Sequence, residues 1–474
     1  MKRRWSVMKW MWMDSRRTFV LSLILILILA VVLGTWGCEG TSPLESSGPV
    51  QRQSAIEDKS DVKSGEHGEG VTLTFFTNNS NRQAGQGLIE QKLIDQYMRE
   101  NPGIEIKVET QAPDTLYQDK IKLYNAANKL PDIFSAWGNM NYLEPLINNH
   151  ALMEFSRDEL LELGFLPGAL DSFSSGGKLY GFPRNTDFWV IYYNKKMFAD
   201  SGLQVPGTED ELLKAVRAFK SKGIVPIAMD EREPWSSGIW FDTMVHRISG
   251  TWEANADALE RSRTFRVPEV RQAAHKMQTW IEEGAFGSGD LNLDYGMARS
   301  MFGHGRAAMF MMGDWEMGMA ADPAFPEQVR DQIGAFALPA LTGGRGSRHD
   351  LPSWFGGGYA VSNRSLHKEE AMRFLKWMFR PEGWAREVWQ NGVTFPAQNY
   401  DRFLTGRESA VQKDLMKIFS NARSFSGTVT QDKFRSEPQK VYYDALQQLA
   451  AGGLTPQAFS EVIDHAAEMN VTAE

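Results

Sequence analysis

From Val71 onward the chain alternates between two hydrophobic periodicities, and this alternation is the feature that most restricts its fold. Residues 71–76 (VTLTFF) alternate apolar and polar side chains, which is typical of a half-buried strand. Residues 87–99 carry apolar side chains at helical spacing, and residues 104–108 alternate again after the Asn-Pro-Gly break at 101–103. A strand, a helix and a second strand in this order predict a parallel sheet and an α/β fold.

The same pattern continues to the C-terminus without an internal repeat of fixed period. Thr208 is expected to cap a helix because Glu211 stands three residues later, and Gly223 is expected to end it. The length of this region suggests two domains. Further strands are predicted at 131–134, 224–229, 306–312 and 333–338, and further helices at 116–129, 270–283, 366–379 and from 455.

Residues 1–37 predict a secretory signal peptide. Six Lys and Arg side chains lie between residues 2 and 17, ahead of the apolar run at 19–33. This run is shorter than the roughly 18 or more apolar residues expected of a spanning helix. Cys38, the single cysteine, follows Gly-Thr-Trp-Gly at 34–37, which resembles a bacterial lipobox with an atypical Thr and Trp. We therefore expect Cys38 to be lipidated; the alternative is an uncleaved signal anchor with an incidental cysteine.

Residues 38–70 contain almost no large apolar side chain, so they are expected to form a flexible tether between the lipid and the folded part. After residue 37, 45 basic and 58 acidic side chains remain, which gives a net charge near −13. This sign argues against nucleic acid as a partner.

Motifs for catalysis, metals and cofactors are absent from the sequence. It contains no HExxH motif, no Walker loop and no Gly-x-Ser-x-Gly elbow, and one cysteine cannot form a cysteine-based zinc site. The glycines at 303 and 305 precede a strand instead of following one, so we interpret them as a turn and not as a dinucleotide fingerprint. No metal, no cofactor and no enzymatic activity is predicted.

A set of ordered motifs resembles a known family. Residues 177–198 (GKLYGFPRNTDFWVIYYNKKMF) resemble the family 1 extracellular solute-binding proteins, which are the carbohydrate receptors of bacterial ABC importers. Matches in the expected order occur at 131–133 (PDI), 302–315 (FGHGRAAMFMMGDW) and 356–375, which includes the run GGGYAVS. The resemblance extends from about residue 71 to the C-terminus.

This resemblance implies a two-lobed, periplasmic-binding-protein-like α/β fold with a ligand cleft between lobes joined by crossing hinge strands. By similarity to maltose-type receptors, the first lobe would hold residues 71–185 and 338–393, and the second 186–337 and 394–474. Closure of such a cleft on a ligand that contacts both lobes stabilises the closed form.

Four tryptophans are candidates for flat sugar-binding surfaces. Trp137 follows the Pro-Asp-Ile strand, and Trp235 and Trp315 fall where the resemblance places aromatic side chains of the second lobe. Trp354 lies in the loop before the glycine run. Pyranose C–H faces pack on such rings, whereas the alternative for each tryptophan is a place in a core.

Four polar residues are candidates for hydroxyl binding. Asn78 and Asn79 end the first strand, at the carboxyl edge where open α/β sheets bind ligands. Asp187 resembles the acidic hinge residue of maltose-type receptors, and Asp314 stands beside Trp315. The alternatives are that the asparagines cap the next helix, that Asp187 is a solvated charge, and that Asp314 orients backbone.

Together these features predict a monomeric, lipid-anchored receptor on the outer face of the cell membrane. It would capture a carbohydrate and deliver it to ABC permease subunits, which are separate chains. A receptor for a non-sugar solute and a surface enzyme that degrades polysaccharide are the two alternatives.

Overall fold

The computed structural model describes residues 70–287 and 293–472. The predicted signal peptide, Cys38 and the predicted tether up to residue 69 lie outside the described residues. Among the described helices, none is both long and apolar enough to cross a bilayer.

Most strands are short and belong to two sheets. They are β1 (Val71–Thr77), β2 (Ile104–Thr110), β3 (Ile133–Trp137), β4 (Ser174–Ser175), β5 (Lys178–Leu179), β6 (Phe182–Pro183), β7 (Asp187–Asn194), β8 (Val225–Ala228), β9 (Ala307–Gly313), β10 (Ile333–Phe336), β11 (Asp350–Leu351), β12 (Ser353–Trp354), β13 (Gly357–Val361) and β14 (Ser424–Phe425).

Helices cover both sheets. The α-helices are α1 (Gly85–Glu100), α2 (Asp114–Ala126), α3 (Met140–Asn148), α4 (Arg157–Glu162), α5 (Pro167–Ser172), α6 (Lys195–Asp200), α7 (Glu209–Lys220), α8 (Trp235–Ser249), α9 (Glu253–Leu259), α10 (Pro268–Glu282), α11 (Tyr295–Gly303), α12 (Glu327–Arg330), α13 (Lys368–Met378), α14 (Trp384–Gln390), α15 (Ala410–Ser420), α16 (Ser436–Ala450) and α17 (Pro456–Thr472). Three 3₁₀ helices span Asp314–Ala321, Asp401–Phe403 and Thr430–Lys433.

The first sheet has the strand order β2-β1-β3-β13-β6. Strand β1 lies parallel to β2 and β3, as the strand-helix-strand pattern predicts, and β13 runs antiparallel to β3 and β6. Because β1 and β3 are parallel neighbours, their carboxyl ends place Asn78 and Trp137 on the same edge of this sheet.

The second sheet has the order β10-β7-β9-β8, and β12 also pairs with β7. Strand β8 lies parallel to β9, whereas β7 runs antiparallel to both β9 and β10. Helix α7 precedes β8 and begins with the predicted capping box of Thr208 and Glu211. Gly303 is the last residue of α11 and Gly305 lies in the turn between α11 and β9, so these glycines precede the strand in a helix end and turn, as interpreted.

Two separate apolar cores define two lobes. The first core packs around the first sheet and includes Phe75, Phe134 and Phe374, whereas the second packs around the second sheet and includes Trp189 and Trp240. The chain is therefore an α/β protein with two lobes, as predicted.

The return from the second lobe to the first lies later in the chain than the resemblance implied. Leu338, Leu341, Leu351 and Trp354 are buried in the second core, and β12 pairs with β7. The next strand, β13, belongs to the first sheet. Residues 338–354 therefore pack with the second lobe, because their apolar side chains are buried against that sheet.

Three connections join the lobes side by side. They are residues 184–186, 355–356 and 394–396, which lie between elements of different sheets or cores. The backbone N–H of Thr186 donates to the carbonyl of Phe395 at 2.9 Å, and the N–H of Ala397 donates to the carbonyl of Arg184 at 3.0 Å. The first and third connections are thus hydrogen-bonded to each other, which gives the junction a defined geometry.

Candidate functional site

Asp187 lies at the junction, as the first residue of β7. Its side chain is 6% exposed, and it stands opposite Trp354 in the pairing of β7 with β12. Burial raises the pKa of Asp187 to about 6, although nearby Arg184 and the backbone N–H groups of Gly356 and Gly357 favour the charged form. Its Oδ1 atom has no hydrogen-bond partner among the described residues. Asp187 therefore keeps a buried acceptor free at the junction.

Asp314 is fully buried and joins two of the three connections. Its Oδ1 accepts the N–H of Phe188 at 2.9 Å, and its Oδ2 accepts the hydroxyl of Thr394 at 3.2 Å and the N–H of Phe395 at 3.3 Å. Burial, followed by the charge of Asp187, raises the pKa of Asp314. Because both oxygens already accept backbone groups, Asp314 orients the junction.

Four tryptophans form a continuous aromatic cluster in the second lobe. The ring of Trp315 lies 6.1 Å from those of Trp189 and Trp235 and 5.9 Å from that of Trp354, between ring centroids. Trp189 and Trp354 are buried, whereas Trp235 and Trp315 are half-buried. The two half-buried rings are therefore the accessible part of the cluster, and Trp354 supports Trp315 from behind.

Tyr295, at the start of α11, fixes the ring of Trp315. The indole N–H of Trp315 donates to the Tyr295 hydroxyl at 3.1 Å, and that hydroxyl donates to Glu316. Gly313 makes room for the ring, because a Cβ atom at that position would overlap it. The orientation of Trp315 is thus set by both a hydrogen bond and a close approach.

Trp137 lies in the first lobe at the end of β3 and is half-buried. Its ring makes edge contacts with Tyr117 at 5.6 Å and Tyr142 at 5.3 Å, and it stands opposite Gly357 in the sheet. Gly356 and Gly357 also interact with Asp187. Trp137 and Asp187 are therefore both neighbours of the same glycine run.

Asn78 follows β1 and belongs to a polar group in the first lobe. Its Nδ2 donates to Asp114 at 3.0 Å, and its Oδ1 accepts two longer bonds from Arg184 at 3.4 and 3.5 Å. Arg184 is 5% exposed and its Nε atom has no partner among the described residues. The Nε atom of Arg184 is therefore a free buried donor, and it lies near the free buried acceptor Oδ1 of Asp187.

Asn79 is bound to Glu90 of α1 in the first lobe. Its Nδ2 donates to Glu90 of α1, and its backbone N–H donates to Thr77 at 3.1 Å. Glu90 is fully buried and also accepts from Thr77 at 3.1 Å and from Tyr359. Asn79 therefore shares in the network that anchors α1 to the sheet.

The loop after β8 brings further carboxylates to the carboxyl edge of the second sheet. Glu233 is 6% exposed, its Oε2 accepts the indole N–H of Trp235 at 3.4 Å, and its Oε1 has no partner among the described residues. Burial raises the pKa of Glu233, and the charge of Asp114 in the first lobe adds to this effect. Because the charge of Asp114 acts on Glu233, we infer that Glu233 lies on the side of the second lobe that faces the first lobe.

Sequence reasoning nominated most aromatic members of the site but missed several polar ones. The missed residues are Arg184, Asp114, Glu233 and Tyr295. Glu233 lies two residues before the nominated Trp235, in the sequence Glu-Pro-Trp at 233–235. No group of three or more His, Cys, Asp or Glu side chains able to hold a metal ion occurs within 70–287 and 293–472.

Comparison with known proteins places this geometry in a family. The family model described as bacterial extracellular solute-binding protein matches residues 81–383. The multiple sugar-binding protein of Streptococcus mutans is 24% identical over 65% of this chain and 71% of its own. The melibiose/raffinose/stachyose-binding protein MelE of Bacillus subtilis is 23% identical over 58% of this chain and 64% of its own.

Solved structures match the two-lobed fold. A structure from work on xylan utilization by the thermophilic bacterium Caldanaerobius polysaccharolyticus is 27% identical, covers 85% of this chain and 100% of its own, and has a TM-score of 0.75. A chitin oligosaccharide binding protein is 24% identical, with coverages of 86% and 100% and the same TM-score. The family match extends over more than half of the chain, and the chain therefore belongs to the bacterial extracellular solute-binding protein family.

Proposed function

We propose that this protein is the carbohydrate receptor of an ABC importer and binds its ligand between the two lobes. The observation that carries the proposal is the placement of two half-buried rings, Trp235 and Trp315, beside buried polar atoms without partners on Asp187 and Glu233. A sugar offers C–H faces for such rings and hydroxyls for such atoms. An unmatched buried polar group costs about 1–3 kcal/mol, so a hydroxyl that supplies the missing bond stabilises the complex.

Within this proposal the nominated residues have different roles. Trp235, Trp315 and Asp187 contact the sugar from the second lobe and the junction, and Trp137 and Asn78 contact it from the first lobe. The remaining three act indirectly: Trp354 supports Trp315, Asn79 anchors α1, and Asp314 orients the connections. The sugar-related names of several relatives agree with this ligand class.

The test is a ligand screen of the purified protein by calorimetry against mono- and oligosaccharides. Stoichiometric binding without loss of the ligand supports a receptor, whereas release of new reducing ends identifies an enzyme. Trp235→Ala and Trp315→Ala are each expected to weaken the binding at least about tenfold, or about 1.4 kcal/mol. Trp377→Ala is the matched control, because Trp377 is half-buried in the first lobe and donates to Glu100 at 2.9 Å. Unchanged affinity in both cleft variants contradicts the assignment.

We also propose that Cys38 carries a lipid that holds a monomeric receptor on the outer face of the cell membrane, where it meets the permease subunits. The support is the sequence pattern around Cys38 alone. Cys38→Ser should release the protein into the medium, and mass spectrometry of the native N-terminus should detect the acyl chains. Retention of Cys38→Ser in the membrane fraction would instead indicate an uncleaved signal anchor.

A further inference from the structure

The loop after β8 holds three buried carboxylates within four residues. Asp230, Glu231 and Glu233 are 0%, 3% and 6% exposed, and each has one carboxylate oxygen without a partner among the described residues. The one basic residue of the loop, Arg232, has a side chain that is 69% exposed and lies 3.9 Å from Asp294. The loop therefore concentrates negative charge without a buried cation of its own.

Charge compensation differs between the two sides of the cleft. Arg184 lies close enough to Asp187 and Asp114 to lower the pKa of each, although burial raises both. The charges that act on Glu233 are those of Asp114 and Asp294, and both raise its pKa. The largest charge effects on Glu233 therefore come from other carboxylates, which do not compensate its own negative charge.

The surroundings of Glu233 are suited to a positively charged group. Its Oε1 is buried and unpartnered, its Oε2 is held by the indole N–H of Trp235, and Asp114 approaches from the first lobe. The indole N–H edge of Trp235, whose ring is half-buried, lies against this carboxylate and helps to hold it in place. Buried charges in proteins are stable when they are paired, so an ammonium group here removes an existing penalty.

We propose that the ligand is a saccharide that carries a protonated amine, and that this amine binds Glu233 opposite Asp114 and beside Trp235. The inference rests on the proposed function and specifies its substrate class. A neutral hydroxyl can satisfy one oxygen of Glu233 but leaves its charge uncompensated, whereas an ammonium group donates up to three hydrogen bonds and supplies the missing charge.

The experiment compares ligand pairs in which each protonated amine of one member is replaced by a neutral acetamido group in the other. The probes are glucosamine and N-acetylglucosamine, galactosamine and N-acetylgalactosamine, and the β-1,4-linked trimers of glucosamine and N-acetylglucosamine, each titrated into the purified protein at pH 7. In every pair that binds, the amine is expected to bind at least about tenfold more tightly than its acetylated partner, as a charge-assisted bond implies.

Isosteric variants test the residues. Glu233→Gln should reduce the ratio of the two affinities to within about twofold of unity, since it removes the charge and keeps the shape. Asp114→Asn should reduce the ratio in the same direction, and it serves as the second variant if Glu233→Gln fails to fold. Glu260→Gln, at an exposed position at the end of α9, should leave the ratio unchanged.

The outcomes separate this inference from the proposed function. The inference is overturned if every amine binds no more tightly than its acetylated partner while neutral saccharides bind in the ligand screen. The proposed receptor function is unaffected by that result. No binding in either panel overturns both. An amine preference that survives in both carboxylate variants overturns the assignment of the amine to Glu233 and Asp114.

Discussion

At the scale of single residues, Glu231 shows the free-energy cost of a buried carboxylate in this loop. Its Oε2 accepts the Ser237 hydroxyl at 2.7 Å, while its Oε1 has no described partner. Burial raises the pKa of Glu231 from 4.5 to about 7. Between these values the folded state binds the proton more tightly than the unfolded state, so stability decreases as the pH rises through this window.

Glu231→Gln should therefore stabilise the protein at pH 8 by up to roughly 3 kcal/mol, with a gain that shrinks toward pH 4.5. Glutamine keeps an oxygen for the Ser237 hydroxyl and carries no charge at any pH. Denaturant unfolding at pH 5, 6 and 8 measures the gain, and Glu260→Gln is the exposed control. A difference in unfolding free energy that stays constant across the three pH values contradicts the burial argument.

The sequence indicated the aromatic residues of the candidate site more completely than its polar residues. Trp235 and Trp315 were identified because they fall where the family resemblance places aromatic side chains of the second lobe. The importance of Glu233 depends on Asp114 and Asp294, which are distant from it in sequence and act on its charge through space. Charge compensation of this kind cannot be read from local spacing.

At the scale of secondary-structure elements, the end of β9 determines where Trp315 points. Gly313→Ala adds a methyl group that overlaps the Trp315 ring, so the ring must move. We expect at least about tenfold weaker ligand binding. The loss of stability should be about 1–3 kcal/mol, which is typical of overpacking.

Calorimetry and near-ultraviolet circular dichroism measure these two effects of Gly313→Ala. Gly103→Ala is the control, because a Cβ atom at Gly103 meets nothing within 4 Å. Wild-type affinity in Gly313→Ala, with an unchanged aromatic spectrum, would show that the ring position is not set by this close approach.

Asp314 links two of the connections between the lobes through hydrogen bonds to their backbone. Asp314→Asn replaces one accepting oxygen with an amide N–H₂ group that faces backbone N–H donors of Phe188 or Phe395. A buried donor facing a donor leaves both unsatisfied, so we expect a loss of about 1–3 kcal/mol in urea unfolding. Asp444→Asn, on the exposed surface of α16, should change stability by less than about 0.5 kcal/mol. Equal effects of the two variants would contradict the bridging role.

Elements with a regular apolar pattern were predictable, and so was the fully buried strand β9. The capping box fixed the start of α7, and the alternation at 71–76 identified β1. Helix α8 was missed although Asp242, His246 and Ser249 stand at helical spacing; every residue from 236 to 249 is buried, so this polar side is covered by the rest of the lobe and does not face solvent. The point at 355–356 where the chain crosses back to the first lobe was also not predicted, because β11 and β12 before it have only two residues each.

At the scale of the whole molecule, the lobes contact each other away from the junction as well. The Nδ2 atom of Asn141, in α3 of the first lobe, donates to Gln439 of α16 at 2.6 Å. The Ser436 hydroxyl donates to the Oδ1 atom of Asn141 at 3.0 Å. Such bonds form only when the two lobes lie against each other, so they favour the arrangement in which the cleft is closed.

Asn141→Ala removes both bonds without touching any nominated ligand contact. The free energy that favours closure should fall by about 0.5–1.5 kcal/mol, and ligand affinity should fall about two- to tenfold in consequence. Calorimetry measures the affinity, and small-angle scattering of the free and saturated protein measures the population of the closed form. Asn149→Ala is the control, since Asn149 is exposed and its side chain bonds Asn125 within the first lobe. A contact shifts an equilibrium only toward the state in which it is made. Tighter ligand binding in Asn141→Ala would therefore mean that these bonds are made in the open form and oppose closure.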